Sequence, residues 1–96
     1  MGKTKKSVMV EDTEHCFVCG SPYIQIHHVL YGAGNRKIAD KYGYVLPLCQ
    51  EHHTGSRGVH FNREMDLHFK KLAQKHFEIH HGSRNDFIKI FGKSYL

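Results

Sequence analysis

Cys16-Phe17-Val18-Cys19 and, 30 positions further on, Cys49-Gln50-Glu51-His52 constrain this chain more than any other feature. Two ligands three apart fit on one tight turn, and two such turns close a four-coordinate metal site. Gly20, directly after the first pair, suits such a turn. The three cysteines are an odd number, so a closed disulfide framework does not account for them, whereas metal ligation uses all three. Four ligands leave no open position, which makes the expected ion a structural Zn2+ held by Cys16, Cys19, Cys49 and His52. His15 and His53 compete with His52 for the fourth place. The plainer reading, in which the cysteines are small buried hydrophobes, leaves the paired spacing unexplained.

A zinc staple also suits the length. Ninety-six residues allow one small domain with a modest core and exclude a TIM barrel or a two-half Rossmann fold. No run of apolar residues is long enough to span a bilayer, so no membrane partner is expected. The start, MGKTKKSVMVEDTEH, has basic residues without an apolar stretch, which does not read as a secretory signal, and Lys6 stands where a myristoylation motif carries Ser or Thr. A reducing cytoplasm is the expected compartment. Fourteen Lys and Arg against nine Asp and Glu give +5, a balance that fits polyanion binding, with nucleic acid the commonest polyanion. Ten histidines add a stock of metal ligands and proton carriers.

Residues 1–14 read as a flexible arm and residues 15–96 as a single domain, with its core over 15–61 and C-terminal helices over 62–96. Tyr23 to Val29 form a β-like run whose alternation puts Ile24, Ile26 and His28 on one face and Gln25 and His27 on the other. Asn35 is positioned to cap a short helix through Tyr42, ended by Gly43. Tyr44 to Leu48 read as a second strand, with Pro47 demanding an edge or an end. Gln50 to His53 open a helix that Thr54-Gly55-Ser56-Arg57-Gly58 interrupts. From Asn62 as N-cap, Met65, Phe69, Leu72, Ala73, His76 and Phe77 recur at helical steps to about His80, with Lys70, Lys71 and Lys75 on the wet face. Ser83 to Asp86 resemble a capping box for a last helix closed by Gly92.

His27-His28 at a strand end and His53 beside the second knuckle can converge on a second, open ion. Phosphodiester hydrolysis needs a group that deprotonates water and a cation that neutralises charge on the phosphate, and neighbouring strand residues face opposite ways, so the two histidines suit different roles. Through CFVC, IQIHHV and LPLCQEHH, in that order over Cys16 to His60, the chain resembles the HNH (ββα-metal) endonucleases, especially the small zinc-stabilised phage-type members. The resemblance implies a small treble-clef-like α+β domain, ββα-metal in type, with a structural zinc and C-terminal helices. It implies that His27 and His53 hold a catalytic divalent cation (Mg2+, Mn2+, Ni2+ or Zn2+) and that His28 is the general base. It also implies a DNA endonuclease acting in phage DNA processing, and hence in the bacterial host cytoplasm if phage-encoded, leaving 5′-phosphate and 3′-hydroxyl ends. Where the family carries its middle Asn this chain has Tyr44 or a close neighbour, and the nearest upstream Asn is Asn35.

His60, two turns beyond His53 along one helix face, is a candidate further ligand or phosphate contact, although Gly55 and Gly58 argue against an unbroken helix there. Arg36, Lys37, Arg57 and Arg63 flank the site as candidate phosphate contacts. His76 and His80 have an i, i+4 spacing able to bind metal, but with no third ligand in view they read as solvated or core-edge residues. The rival function is a non-catalytic zinc module that binds nucleic acid or protein.

Overall fold

A computed structural model describes residues 7–32 and 34–96. Along the chain run β1 (Ile24–His28), α1 (Asn35–Tyr42), β2 (Val45–Cys49), α2 (Gln50–His53), a 3₁₀ turn (Val59–Phe61), α3 (Arg63–His80) and α4 (Arg84–Phe91). The described residues thus form a small α+β domain: a two-stranded antiparallel sheet with four α-helices. None of these helices is long and apolar enough to cross a membrane.

The register pairs Ile24 with Cys49, Ile26 with Pro47 and His28 with Val45. It sets Cys49, the first ligand of the second knuckle, opposite the start of β1, and α2 then turns back beside β1. Pro47 lies mid-strand rather than at an end. The Pro47 carbonyl accepts from the Phe17 N–H at 2.8 Å, so its backbone polar edge faces away from β1 and no ladder bond is lost to the missing N–H. β2 is buried along its whole length, in keeping with its unbroken apolar run. Tyr44, Leu46, Leu48, Val29 and Leu30 pack with Phe69, Ala73 and Phe77 of α3 and Phe87 and Phe91 of α4 in one core.

The helix ends follow local chemistry. Asn62 caps α3 by accepting from the Met65 N–H at 3.0 Å, and Ser83 with Asp86 forms a complete capping box on α4. Gly43 closes α1 at φ 82°. Asn35 is the first residue of α1 rather than its cap. Gly34, at φ 87°, takes the cap position, and the Asn35 side chain instead donates to the Phe91 carbonyl at 3.0 Å, tying α1 to the end of α4.

Three other expectations need correction. Residues 1–6 of the expected arm lie outside the described residues, but residues 7–10 are seated rather than loose. The Ser7 hydroxyl donates to the Val45 carbonyl at 2.7 Å, the Val8 N–H to the Gly43 carbonyl at 3.0 Å, and Met9 and Val10 pack on the core. Lys70 is not on the wet face. It pairs with Asp66 at 2.9 Å and lies over the Tyr31 ring at 4.3 Å, because an aromatic face and a carboxylate together compensate its desolvation. Leu72 leaves the apolar stripe, with its side chain exposed in a shallow groove beside Val8, Phe17 and His76.

Candidate metal centres

The first centre is built by backbone before any metal is considered. The Gly20 N–H donates to the Cys16 carbonyl and the Cys16 N–H to the Ser21 carbonyl, both at 2.8 Å, closing a tight turn that needs Gly20 at φ 81°. Phe17 anchors that turn to β2, which ends at Cys49, and α2 carries His52 to the same place. Cys19 Sγ lies 3.7 Å from Cys49 Sγ, and His52 Nδ1 lies 3.8 Å from Cys16 Sγ and 3.2 Å from Cys49 Sγ. All four ligand atoms fall within 4.8 Å of one another. Tetrahedral zinc with ordinary bond lengths requires S···S edges of about 3.8 Å and S···N edges of about 3.6 Å. The Cys19–Cys49 and Cys16–His52 separations lie near these and the Cys49–His52 one is shorter, so the four residues could hold a metal ion. Burial alone would raise the Cys16 thiol pKa, but backbone N–H groups of Cys49, Cys19 and Val18 directed at the sulfur outweigh it and bring the pKa down to about 6. His52 takes the fourth place. His15 bonds Asp12 at 2.9 Å, and His53 turns to a different cluster.

That second cluster joins His27, His53 and His60, whose ligand nitrogens also lie within 4.8 Å of one another. The ring centroids are 5.2 Å apart for His27 and His53, 5.3 Å for His27 and His60, and 4.9 Å for His53 and His60. Three imidazoles on one tetrahedral ion place their centroids about 5.2 Å apart, given a metal–nitrogen bond of about 2.1 Å. His27 is 2 % exposed, and its Nε2 is buried with no hydrogen-bond partner among the described residues. Burial, reinforced by His53, His60, His28 and Lys70, pushes its pKa down to about 3. His53 is lowered in the same way, by burial and then by His60 and His28. Both shifts favour the neutral ring, the state a ligand histidine needs. His53 Nδ1 lies 2.7 Å from Gln25 Oε1, so the ring donates there and directs Nε2 into the cluster.

His60 does not reach this place along a continuous helix. α2 stops at His53, and a Gly55–Gly58 turn folds the chain back into the 3₁₀ element that carries His60. A Cβ on Gly58 would stand 2.5 Å from the His53 carbonyl oxygen, so the return needs glycine there. Tyr31 flanks both His27 and His60 and is itself held by Asp66, accepting its hydroxyl proton at 3.1 Å.

His28 leaves β1 on the other face, where its Nε2 lies 3.3 Å from Asp40 Oδ1 of α1. Both histidines nevertheless border one cleft of about 280 Å³, together with Ile26, Tyr31, Gly32, Arg36, His53 and His60. Of the four cationic candidates, Arg36 lines this cleft, and Lys37 lines an adjoining depression with His28, Arg36 and Asp40. Arg57 and Arg63 border neither: Arg57 is exposed and 3.9 Å from Glu51, and Arg63 is an exposed residue opening α3. Sequence reasoning missed Gln25 and Asp40 as partners of the histidines. The alternation of β1 already put Gln25 on the face of His27, whereas no local pattern pointed to Asp40. Comparison of the chain with models of protein families, with curated proteins and with solved structures finds no match.

Proposed function

We propose that the chain is a metal-dependent DNA endonuclease of HNH type, in which β1, β2 and α2 form the ββα-metal, treble-clef-like unit around a structural zinc. The observation that carries this reading is the orphaned, buried Nε2 of His27 in a cluster of three imidazoles, beside a cleft that also holds a histidine outside the cluster. A buried nitrogen without a partner is costly, and a cation on the open side removes the cost. Three histidine ligands leave further coordination positions open, the mark of a catalytic rather than a structural site. A divalent cation held by His27, His53 and His60 would supply charge stabilisation at the phosphate and at the departing 3′ oxygen. His28 accepts the proton of the attacking water, and Asp40 braces its ring from α1 in place of the family's absent Asn. Arg36, at the cleft wall, engages a phosphate oxygen of the DNA.

Incubation of supercoiled plasmid with the protein and Mg2+, Mn2+ or Ni2+ tests the proposal: nicking that chelator abolishes is expected. A second reading, a non-catalytic zinc module, is favoured by Tyr44, fully buried at or close to the place where the family carries its Asn. DNA binding that weakens by orders of magnitude between about 50 and 200 mM salt, without nicking under any metal, would establish that second reading instead.

A further inference from the structure

The end of α3 carries a histidine cluster that the proposed nuclease site does not use. His76 and His80 lie one turn apart with ring centroids 4.3 Å apart, and His81, at the helix C-cap, sets its ring 5.8 Å from that of His76. Sequence spacing alone showed two ligands. The third ring comes from the chain leaving the helix at His81, and a fourth group comes from the core, where the buried Tyr44 hydroxyl lies 3.0 Å from His76 Nδ1.

We propose that His76 and His80 form a third, two-ligand metal site, which takes one borderline divalent transition ion such as Ni2+ or Cu2+. Two imidazoles bound at right angles to one ion place their centroids about 4.5 Å apart, close to the spacing of His76 and His80 and shorter than tetrahedral zinc requires. Right-angle nitrogen coordination is the preference of Cu2+ and Ni2+. The Tyr44 hydroxyl and His76 Nδ1 share a hydrogen bond at 3.0 Å; an ion on Nε2 requires Nδ1 to carry the proton and donate it to the Tyr44 oxygen, which then holds the ring in place. His80 and His81 are exposed, so an ion reaches the site without opening the fold. Loading it clamps the last turn of α3 to a ring held by the core.

Native mass spectrometry of the zinc-replete full chain titrated with Ni2+ counts the ions, and NMR of the imidazole signals locates them. In the parent, paramagnetic Ni2+ should broaden the ring signals of His76 and His80. In His80→Ala, whose exposed position leaves folding intact, the count should fall by one. Tyr44→Phe, which keeps the ring in the core, should weaken uptake about 10–100-fold. An unchanged Ni2+ count in both His80→Ala and the His80→Ala/His81→Ala double variant, or no broadening at His76 and His80 in the parent, overturns the site. The test does not depend on nuclease activity, because any Ni2+ taken up at His27, His53 and His60 would count equally in every arm.

Discussion

A neutral imidazole at 2 % exposure with an unpartnered nitrogen, as at His27, has to be explained by what meets it, whereas its neighbour His28 is half-buried with Asp40 3.3 Å from its Nε2. The two are adjacent on a strand, so one points into the three-histidine cluster and the other toward Asp40. Their variants should therefore fail differently. His28→Ala should lose about 10²–10⁴-fold in cleavage while retaining the divalent ion. His27→Ala and His53→Ala should lose the ion as well, with partial rescue by excess metal. Rates measured across a metal titration separate the two cases, and equal cleavage by His28→Ala and parent at saturating metal would place the base elsewhere. Gln25 touches no ion in this scheme but fixes the His53 ring at 2.7 Å. Gln25→Ala should weaken metal at the histidine cluster about 10–100-fold and leave the four-ligand zinc unchanged, as isothermal titration on zinc-replete protein would show.

Elements fix where those side chains end up. α2 is only four residues long, and the Gly55–Gly58 turn behind it is what brings His60 back to His53. Because a Cβ at Gly58 collides with backbone rather than with a flexible side chain, the turn must shift to accommodate one. Gly58→Ala should lower divalent-ion uptake at the histidine cluster by at least about tenfold while the Cys-bound zinc stays, since a small displacement of one ligand is felt in both affinity and rate. α4 depends on a local device instead. Backbone and hydroxyl hydrogen bonds from Ser83 hold the Asp86 carboxyl below its ordinary pKa of 3.8. A depressed folded pKa means that the unfolded chain binds the proton more readily, so the stabilisation is complete above about pH 4 and fades as pH falls through the folded value. The stability difference between parent and Asp86→Asn in denaturant unfolding should thus stay constant from pH 7 to about 4 and shrink below it. Zinc release in acid acts on both chains alike and cancels in that difference.

At the scale of the whole molecule, one zinc ion would join three separate pieces: the Cys16–Cys19 turn, the end of β2 and α2. Structural zinc binding is largely folding free energy, so Cys49→Ser, or exhaustive chelation, should unfold or loosen the domain. Thermal unfolding together with metal analysis checks this, and a metal-free chain of unchanged stability would refute it. Much of the architecture rests on short-range rules and was legible in the residues themselves. The paired Cys and His spacing, the alternation of β1, the Asn62 and Ser83 caps and the Gly43 and Gly92 stops each depend on a few neighbouring backbone groups. Tertiary structure decided matters of a different kind. Packing of the Cys turn against β2 selected His52 over His15 and His53, and the two-glycine turn returned His60 to the cluster. The fold of α1 across β1 brought Asp40 to His28, and the Tyr31–Asp66 pair drew Lys70 out of solvent. The open edge of β2 and the C-cap of α1 seated residues 7–10, and Tyr44 oriented His76. Each of these joins residues from different elements, so their meeting depends on how helices and strands pack and not on the order of residues along either one.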